Sequence, residues 1–177
     1  MDYSPLRYPG GKTKIAPLVN FIIEKAGIKQ GIYIEPFAGG AGVALALLLN
    51  NKVDNIVIND IDIAIYAFWY SVLNYTGEFV QLVKDTPVTI EEWRKQKGIF
   101  ISKNQENLLE LGFATFFLNR TNRSGILKAG PIGGLDQKGN YLIDARFNKA
   151  NLIKRVERVA QYKEKISLYN LEIKDFI

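Results

Sequence analysis

The stretch from Gly31 to Asp60, "GIYIEPFAGGAGVALALLLNNKVDNIVIND", constrains the fold more than any other. Ile32 to Ile34 is a short β-rich run. Gly39, Gly40 and Gly42 then cluster, and the helix-forming "VALALLL" follows until Asn50-Asn51 stops it. Ile56 to Ile58 reads as a second strand ending in Asn59-Asp60. Strand, glycine turn, helix, strand and acid, in that order, form the first half of a doubly wound α/β fold. Small residues in such a turn let the backbone approach a ligand, and the next helix presents its N-terminal amides there. Asp60, at the tip of the second strand, stands where a carboxylate can accept both hydroxyls of a ribose. Glu35 either braces the turn by accepting backbone hydrogen bonds or meets the ligand itself. Asp62 reads better as a helix cap than as a ligand.

A second glycine motif, "RYPGGKTK" at Arg7 to Lys14, looks like the tail of a phosphate-binding loop. The full pattern needs a glycine where Leu6 stands and a buried strand leading in, and only "MDYSPL" precedes it. A nucleotide triphosphatase is therefore a poor reading, and the two glycines and Lys12 are expected to serve another purpose. The ligand of the α/β turn is narrowed in the same way. "GGAG" does not follow the dinucleotide fingerprint G-x-G-x-x-G, and Glu35 beside Pro36 would oppose a pyrophosphate. A cationic sulfonium nucleoside has no such conflict, and Lys12 can pair with the carboxylate of its amino-acid tail.

Composition restricts the chemistry further. The 177 residues contain no histidine and no cysteine. Ser-His-Asp triads, cysteine nucleophiles and the usual zinc sites are thereby ruled out, and no metal is expected. Any reaction must run on carboxylates, amides, a lysine or a reactive cofactor. No apolar run reaches the roughly 18 to 20 residues of a membrane span. With no signal peptide expected either, the reading is cytoplasmic.

Charge is uneven. From Arg120 to Arg155 there are eight Lys or Arg and two acids, so this one segment carries a net +6 while the whole chain carries +5. Clustered basic charge points to a polyanionic partner, with Arg120, Arg123 and Lys128 available for phosphates or guanine edges. Around it the pattern is helical. Ile15, Leu18, Val19, Ile22 and Ile23 predict an early amphipathic helix, with Pro17 tolerated in its first turn. "IAIYAFWYSVLNY" and "ENLLELGFATFFLNR" read as buried helices, "YAFWY" as core, and Thr89 with Glu92 as a capping box. Leu152, Ile153, Val156, Val159 and Ala160 mark a further helix, and "ISLYNLEIKDFI" a last strand leading to an acidic turn. The expected organisation is an α/β domain over 1–62 plus 165–177, with a mostly helical insertion over 63–164.

Taken together, "YPGGK", "YIEPFAGGAG", "NDID", "FFLNRTNRSGIL" and "LYNLEIKDFI" resemble, in order, the motifs of Dam-type (D12 class) adenine-specific DNA methyltransferases. The resemblance covers essentially the whole chain. It implies a Rossmann-like S-adenosylmethionine-dependent methyltransferase fold, incomplete at its C-terminus, with 63–164 as the target-recognition domain. It implies that Tyr8 packs on S-adenosylmethionine and that Lys12 binds its carboxylate. Glu35, Pro36, Phe37, Gly39 and Gly40 would form the cofactor loop, Asp60 the ribose acid, and Asp175 and Phe176 the flanks of the adenine. The loop from Asn119 to Leu127 would reach double-stranded DNA, adding Asn119 and Ser124 to the basic residues above. Dam itself carries an aromatic residue where Arg123 stands and asparagine where Ser124 stands, so its target sequence does not transfer.

One departure matters more. The family's catalytic tetrapeptide, Asp-Pro-Pro-Tyr or a close variant, follows shortly after the "KDF" acid, and this chain contains no Pro-Pro. No residue is therefore assigned to catalysis. The chain alone is expected to be inactive, as part of a longer restriction-modification enzyme or with its C-terminal portion supplied by a partner. Two other classes compete: a non-catalytic DNA-binding module derived from the same fold, and a nicotinamide-dependent oxidoreductase.

Overall fold

Pro17 fits the start of a helix because no backbone donor is lost there. In the computed structural model, which describes residues 3–7 and 12–176, a 3-10 turn over Lys12–Ile15 leads into α1, Ala16–Lys25, with Pro17 in its first turn. Gly27, at φ +69°, closes α1 as the Ile28 N–H returns to the Ile23 carbonyl. The expected apolar stripe is divided. Val19 and Ile23 pack on the core, whereas Leu18 and Ile22 are exposed beside Phe21. The reason is that α1 packs chiefly on α2.

The β-rich runs become β1, Ile32–Glu35, and β2, Asn55–Asn59, joined by α2, Gly42–Leu49. All but two residues of α2 are buried, as befits a helix apolar on every side. β1 and β2 pair in parallel with Ile34 opposite Val57. The chain then passes through α3 (Ile63–Asn74), α4 (Thr76–Asp85), α5 (Ile90–Ser102), α6 (Leu108–Thr121) and α7 (Lys149–Ala160). It returns as β3, Ile166–Tyr169, parallel to β2, and ends in the single turn α8, Ile173–Phe176. The sheet order is β1-β2-β3. Among the described residues, the stretch from β2 to β3 holds no strand, only an isolated bridge between Asn122 and Pro131, and residues 126–148 run between helices without regular structure.

The chain is thus mixed α/β around a small parallel sheet. Its principal core does not stop at residue 63. Leu45 of α2, Ile56 of β2, Phe68 of α3, Phe116 of α6 and Val156 of α7 belong to one contiguous cluster. The "YAFWY" stripe buries Ala67, Phe68 and Trp69, and leaves Tyr66 and Tyr70 half-buried against each other. α3 and α6 cross closely because Gly112 has no Cβ to meet the Ala67 carbonyl. Thr89 caps α5 by accepting the Glu92 N–H at 3.2 Å. Glu92 does not complete the box, since its carboxylate takes the Gln96 amide at 2.6 Å instead. No helix among the described residues is long and apolar enough to cross a membrane.

Candidate functional site

Parallel pairing brings the carboxyl ends of β1 and β2 side by side, and the glycine turn folds over them. The Pro36 carbonyl accepts the Asn59 amide at 3.1 Å, and the Ala38 N–H donates to the Asn59 carbonyl at 2.8 Å. Gly39, in the left-handed region at φ +46°, donates its N–H to Oδ2 of Asp60 at 2.8 Å. Oδ1 of Asp60 accepts the Asp62 N–H at 3.0 Å. The carboxylate therefore ties the turn to the strand tip. Trp69 of α3 fixes the turn from beneath by donating to the Gly39 carbonyl at 2.9 Å. Gly40 is buried, whereas Phe37 and Ile61, 61% and 62% exposed, flank Asp60 with apolar surface.

Glu35 is buried, and its Oε2 accepts the N–H of Ala44 at 3.2 Å. A carboxylate at this end of α2 satisfies an orphan donor and meets the positive end of the helix dipole. Of its two possible roles, bracing is the one this geometry displays. Burial first, and the Glu35 charge second, raise the neighbouring Tyr33 phenol above its ordinary pKa. Asp62 is the N-cap of α3, accepting from Ala64 at 3.1 Å and pairing with Lys103 at 3.2 Å.

The end of β3 is pinned to the same tips. Asn59 accepts the Leu171 N–H at 2.9 Å and donates to its carbonyl at 3.0 Å, while Asn170 donates to the Asp60 carbonyl at 2.7 Å. The segment carrying Asp175 and Phe176 thus begins beside Asp60. Asp175 is exposed, and Phe176 packs on Tyr169 with ring centroids 5.8 Å apart.

A second constellation joins the start of the chain to the end of α6. Asn119, 2% exposed, accepts the Arg7 N–H at 2.7 Å and donates to the carbonyls of Arg7 at 2.7 Å and Gly125 at 3.0 Å. Gly125 sits at φ +76°, where a Cβ would lie 2.7 Å from the Arg7 carbonyl oxygen. Asn122, also buried, accepts from Trp93 and donates to the carbonyls of Ile126 and Leu127. Lys97, its pKa lowered by burial, donates to the Leu127 carbonyl at 3.1 Å. The residues expected to face DNA are therefore split. Asn119 and Arg120 are buried in the last turn of α6, while Arg123, Ser124 and Lys128 are exposed. Burial first, and the nearby Arg146 cation second, lower the Arg7 guanidinium. Tyr8 and the side chain of Lys12 lie outside the described residues. Among those described, no group of three or more carboxylates could hold a metal ion.

The sequence profile described as D12 class N6 adenine-specific DNA methyltransferase matches residues 8–175. The chain belongs to that family. It is also similar to the Type II methyltransferase M.MjaIII of Methanocaldococcus jannaschii, at 27% identity over 167 residues, or 86% of this chain and 57% of that protein. The chain thus spans a little over half the length of this relative.

In this D12-class chain, Asp60, Gly39 and the exposed Phe37 converge at the strand tips, and the Asp175 segment is anchored next to them. Sequence reasoning gave none of the site's organisers its bracing role, having placed Asn119 against DNA. Asn59, Asn170, Asn119 and Asn122 each tie backbone segments together through a side-chain amide. The only sequence signal was their position at strand and helix ends, where asparagine is also common as a mere turn former.

Proposed function

We propose that this chain is the S-adenosylmethionine-binding and DNA-facing portion of an enzyme that methylates the N6 amine of adenine in double-stranded DNA. The observation that carries the reading is the Asp60 carboxylate, bonded to the Gly39 N–H at the open tips of parallel strands. The residues fit an adenosyl group. Asp60 sets a carboxylate at the strand tips, where such a fold receives ribose hydroxyls, and Phe37 and Ile61 offer exposed apolar surface. Glu35, Pro36 and Gly40 hold the loop in shape, and Asp175 and Phe176 flank the adenine. Tyr8 and Lys12 complete the site from the opening motif, Lys12 against the cofactor's carboxylate. S-adenosylmethionine held there supplies a methyl group on a sulfonium centre.

The fold on this reading is Rossmann-like, with 1–62 and 165–177 forming the cofactor domain and 63–164 the target-recognition insertion. Arg123, Ser124 and Lys128 meet the DNA, backed by the basic segment that continues to Arg155. Asn119 and Arg120 act from within, by holding that loop against Arg7. The target adenine must leave the duplex to reach the methyl group. Asp-Pro-Pro-Tyr would hold its amine, and no such tetrapeptide occurs here. The 177-residue chain is therefore inactive alone and works with further polypeptide in the cytoplasm.

Isothermal titration with S-adenosylhomocysteine, NAD and an unmethylated DNA duplex tests the reading. The expected result is binding of S-adenosylhomocysteine and duplex without NAD. Duplex binding alone would favour a non-catalytic DNA-binding module, and NAD binding alone would overturn the methyltransferase reading. Clear methyl transfer to DNA by the single chain would refute its inactivity.

A further inference from the structure

Helix α5 turns two different faces to its neighbours. Trp93 and Lys97 reach towards the Arg123 loop, donating to the Asn122 side chain and to the Leu127 carbonyl. Glu92, Gln96 and Ile99, spaced four and three apart, lie on the next face round. They line a cleft of about 480 Å³ against α6 and the end of α4, a volume in the range of small-molecule sites. Leu82, Leu109 and Phe113 join Ile99 in its apolar walls. Among the described residues, none of the strand tips and none of the Arg123 loop lines it.

Two polar groups in this cleft lack what burial demands. Gln96 is 4% exposed, and its Oε1 has no hydrogen-bond partner among the described residues. Turning the amide round does not help. Nε2 donates to Oε1 of Glu92 at 2.6 Å, and a carbonyl in its place would oppose a carboxylate. The Glu92 side chain is itself only 14% exposed, and the cation paired with it, the exposed Lys95, stands 3.8 Å away. The dipole of α5 accounts for an acid in its first turn, but it leaves the Gln96 carbonyl without a donor. A buried acceptor without a donor and a buried carboxylate without a close cation are both unfavourable. One ligand bringing N–H groups and positive charge would satisfy the two together. The surroundings agree in sign. Among the described residues lining the cleft, the carboxylates of Asp85, Glu92 and Glu110 face a single cation, Lys95, in a chain whose net charge is +5.

We propose that the cleft between α4, α5 and α6 binds a small organic cation, an amine or amidine carried on an apolar body. Its N–H groups donate to Oε1 of Gln96 and to the Glu92 carboxylate, and its body packs on Leu82, Ile99 and Phe113. The site is separate from the strand tips and does not depend on the cofactor reading.

The probe is phenethylamine, an ammonium at neutral pH, titrated into the full chain and followed by the NMR signals of the Gln96 side-chain amide. Saturable binding is expected, with a dissociation constant of about 1 mM or tighter for a fragment of this size. Hydrocinnamate, of similar shape and opposite charge, should bind at least about tenfold more weakly. Gln96→Leu removes the carbonyl at similar volume and should weaken the amine at least about tenfold. Glu157→Gln, in a separate cleft between α4 and α7, should leave it unchanged. Urea denaturation checks that each variant folds. Glu110→Gln, at an exposed position, decides the matter if Gln96→Leu does not fold, with an expected weakening of about threefold. Absence of saturable binding, equal binding of hydrocinnamate, or unaltered affinity in the folded Gln96→Leu or, failing that, the Glu110→Gln variant would each overturn the proposal. So would displacement of the amine by S-adenosylhomocysteine, which would place the amine in the cofactor's site.

Discussion

Asp60 and Asp62 stand two residues apart and do different work. Asp62 closes the first turn of α3, a local role that Asn, Ser or Thr could also fill. Asp60 takes a backbone N–H on each oxygen, from Gly39 and from Asp62. Asparagine cannot replace it, since one of its two positions is a donor facing another donor. Asp60→Asn is expected to cost about 1 to 3 kcal/mol in urea denaturation and to weaken S-adenosylhomocysteine at least about tenfold. Asp62→Ala should cost about 1 kcal/mol while leaving that affinity unchanged. Equal losses of affinity in the two variants would mean that the turn, and not the Asp60 carboxylate, governs binding. The Asp62 cap was legible in the sequence, because its partner lies two residues away, whereas the bond from Gly39 to Asp60 joins residues 21 apart and carried no local signal.

At the scale of elements, what could be read depended on how local its cause is. The β1–α2–β2 unit follows from a β-rich run, a glycine cluster and an all-apolar helix. The Thr89 cap likewise depends on an N–H three residues away. The division of the α1 stripe was not legible, because it depends on how little of the helix α2 covers. Nor was the clamp between the opening segment and the end of α6, where Asn119 bonds Arg7 across 112 residues. Asn119 looked like a DNA contact by its place in a motif, and its burial gives it a positioning role. Asn119→Ala removes three hydrogen bonds and strands buried backbone groups, at an expected cost of about 2 to 4 kcal/mol in urea denaturation. Duplex affinity should fall with it at temperatures where the variant remains folded, because Arg123 and Ser124 lose their anchored loop. Unchanged stability would show that the clamp does not form in solution.

Across the whole molecule, charge and exposed apolar surface lie in different places. The basic segment surrounds the Arg123 loop, at the end of α6, while the exposed Ile32 and Ile34 lie on the edge strand β1. The sequence revealed the first as a simple count of Lys and Arg. It could not reveal the second, because Ile32 and Ile34 read as ordinary core until the sheet order leaves their face uncovered. One contiguous core links α2, β2, α3, α6 and α7, so the expected boundary at residue 63 is not a boundary in the packing. The most direct test is a crystal structure of the chain with S-adenosylhomocysteine. The account predicts both ribose hydroxyls within hydrogen-bonding distance of Asp60, with the adenine against Phe37 or Phe176. Ligand bound elsewhere, out of reach of the Asp60 carboxylate, would contradict it.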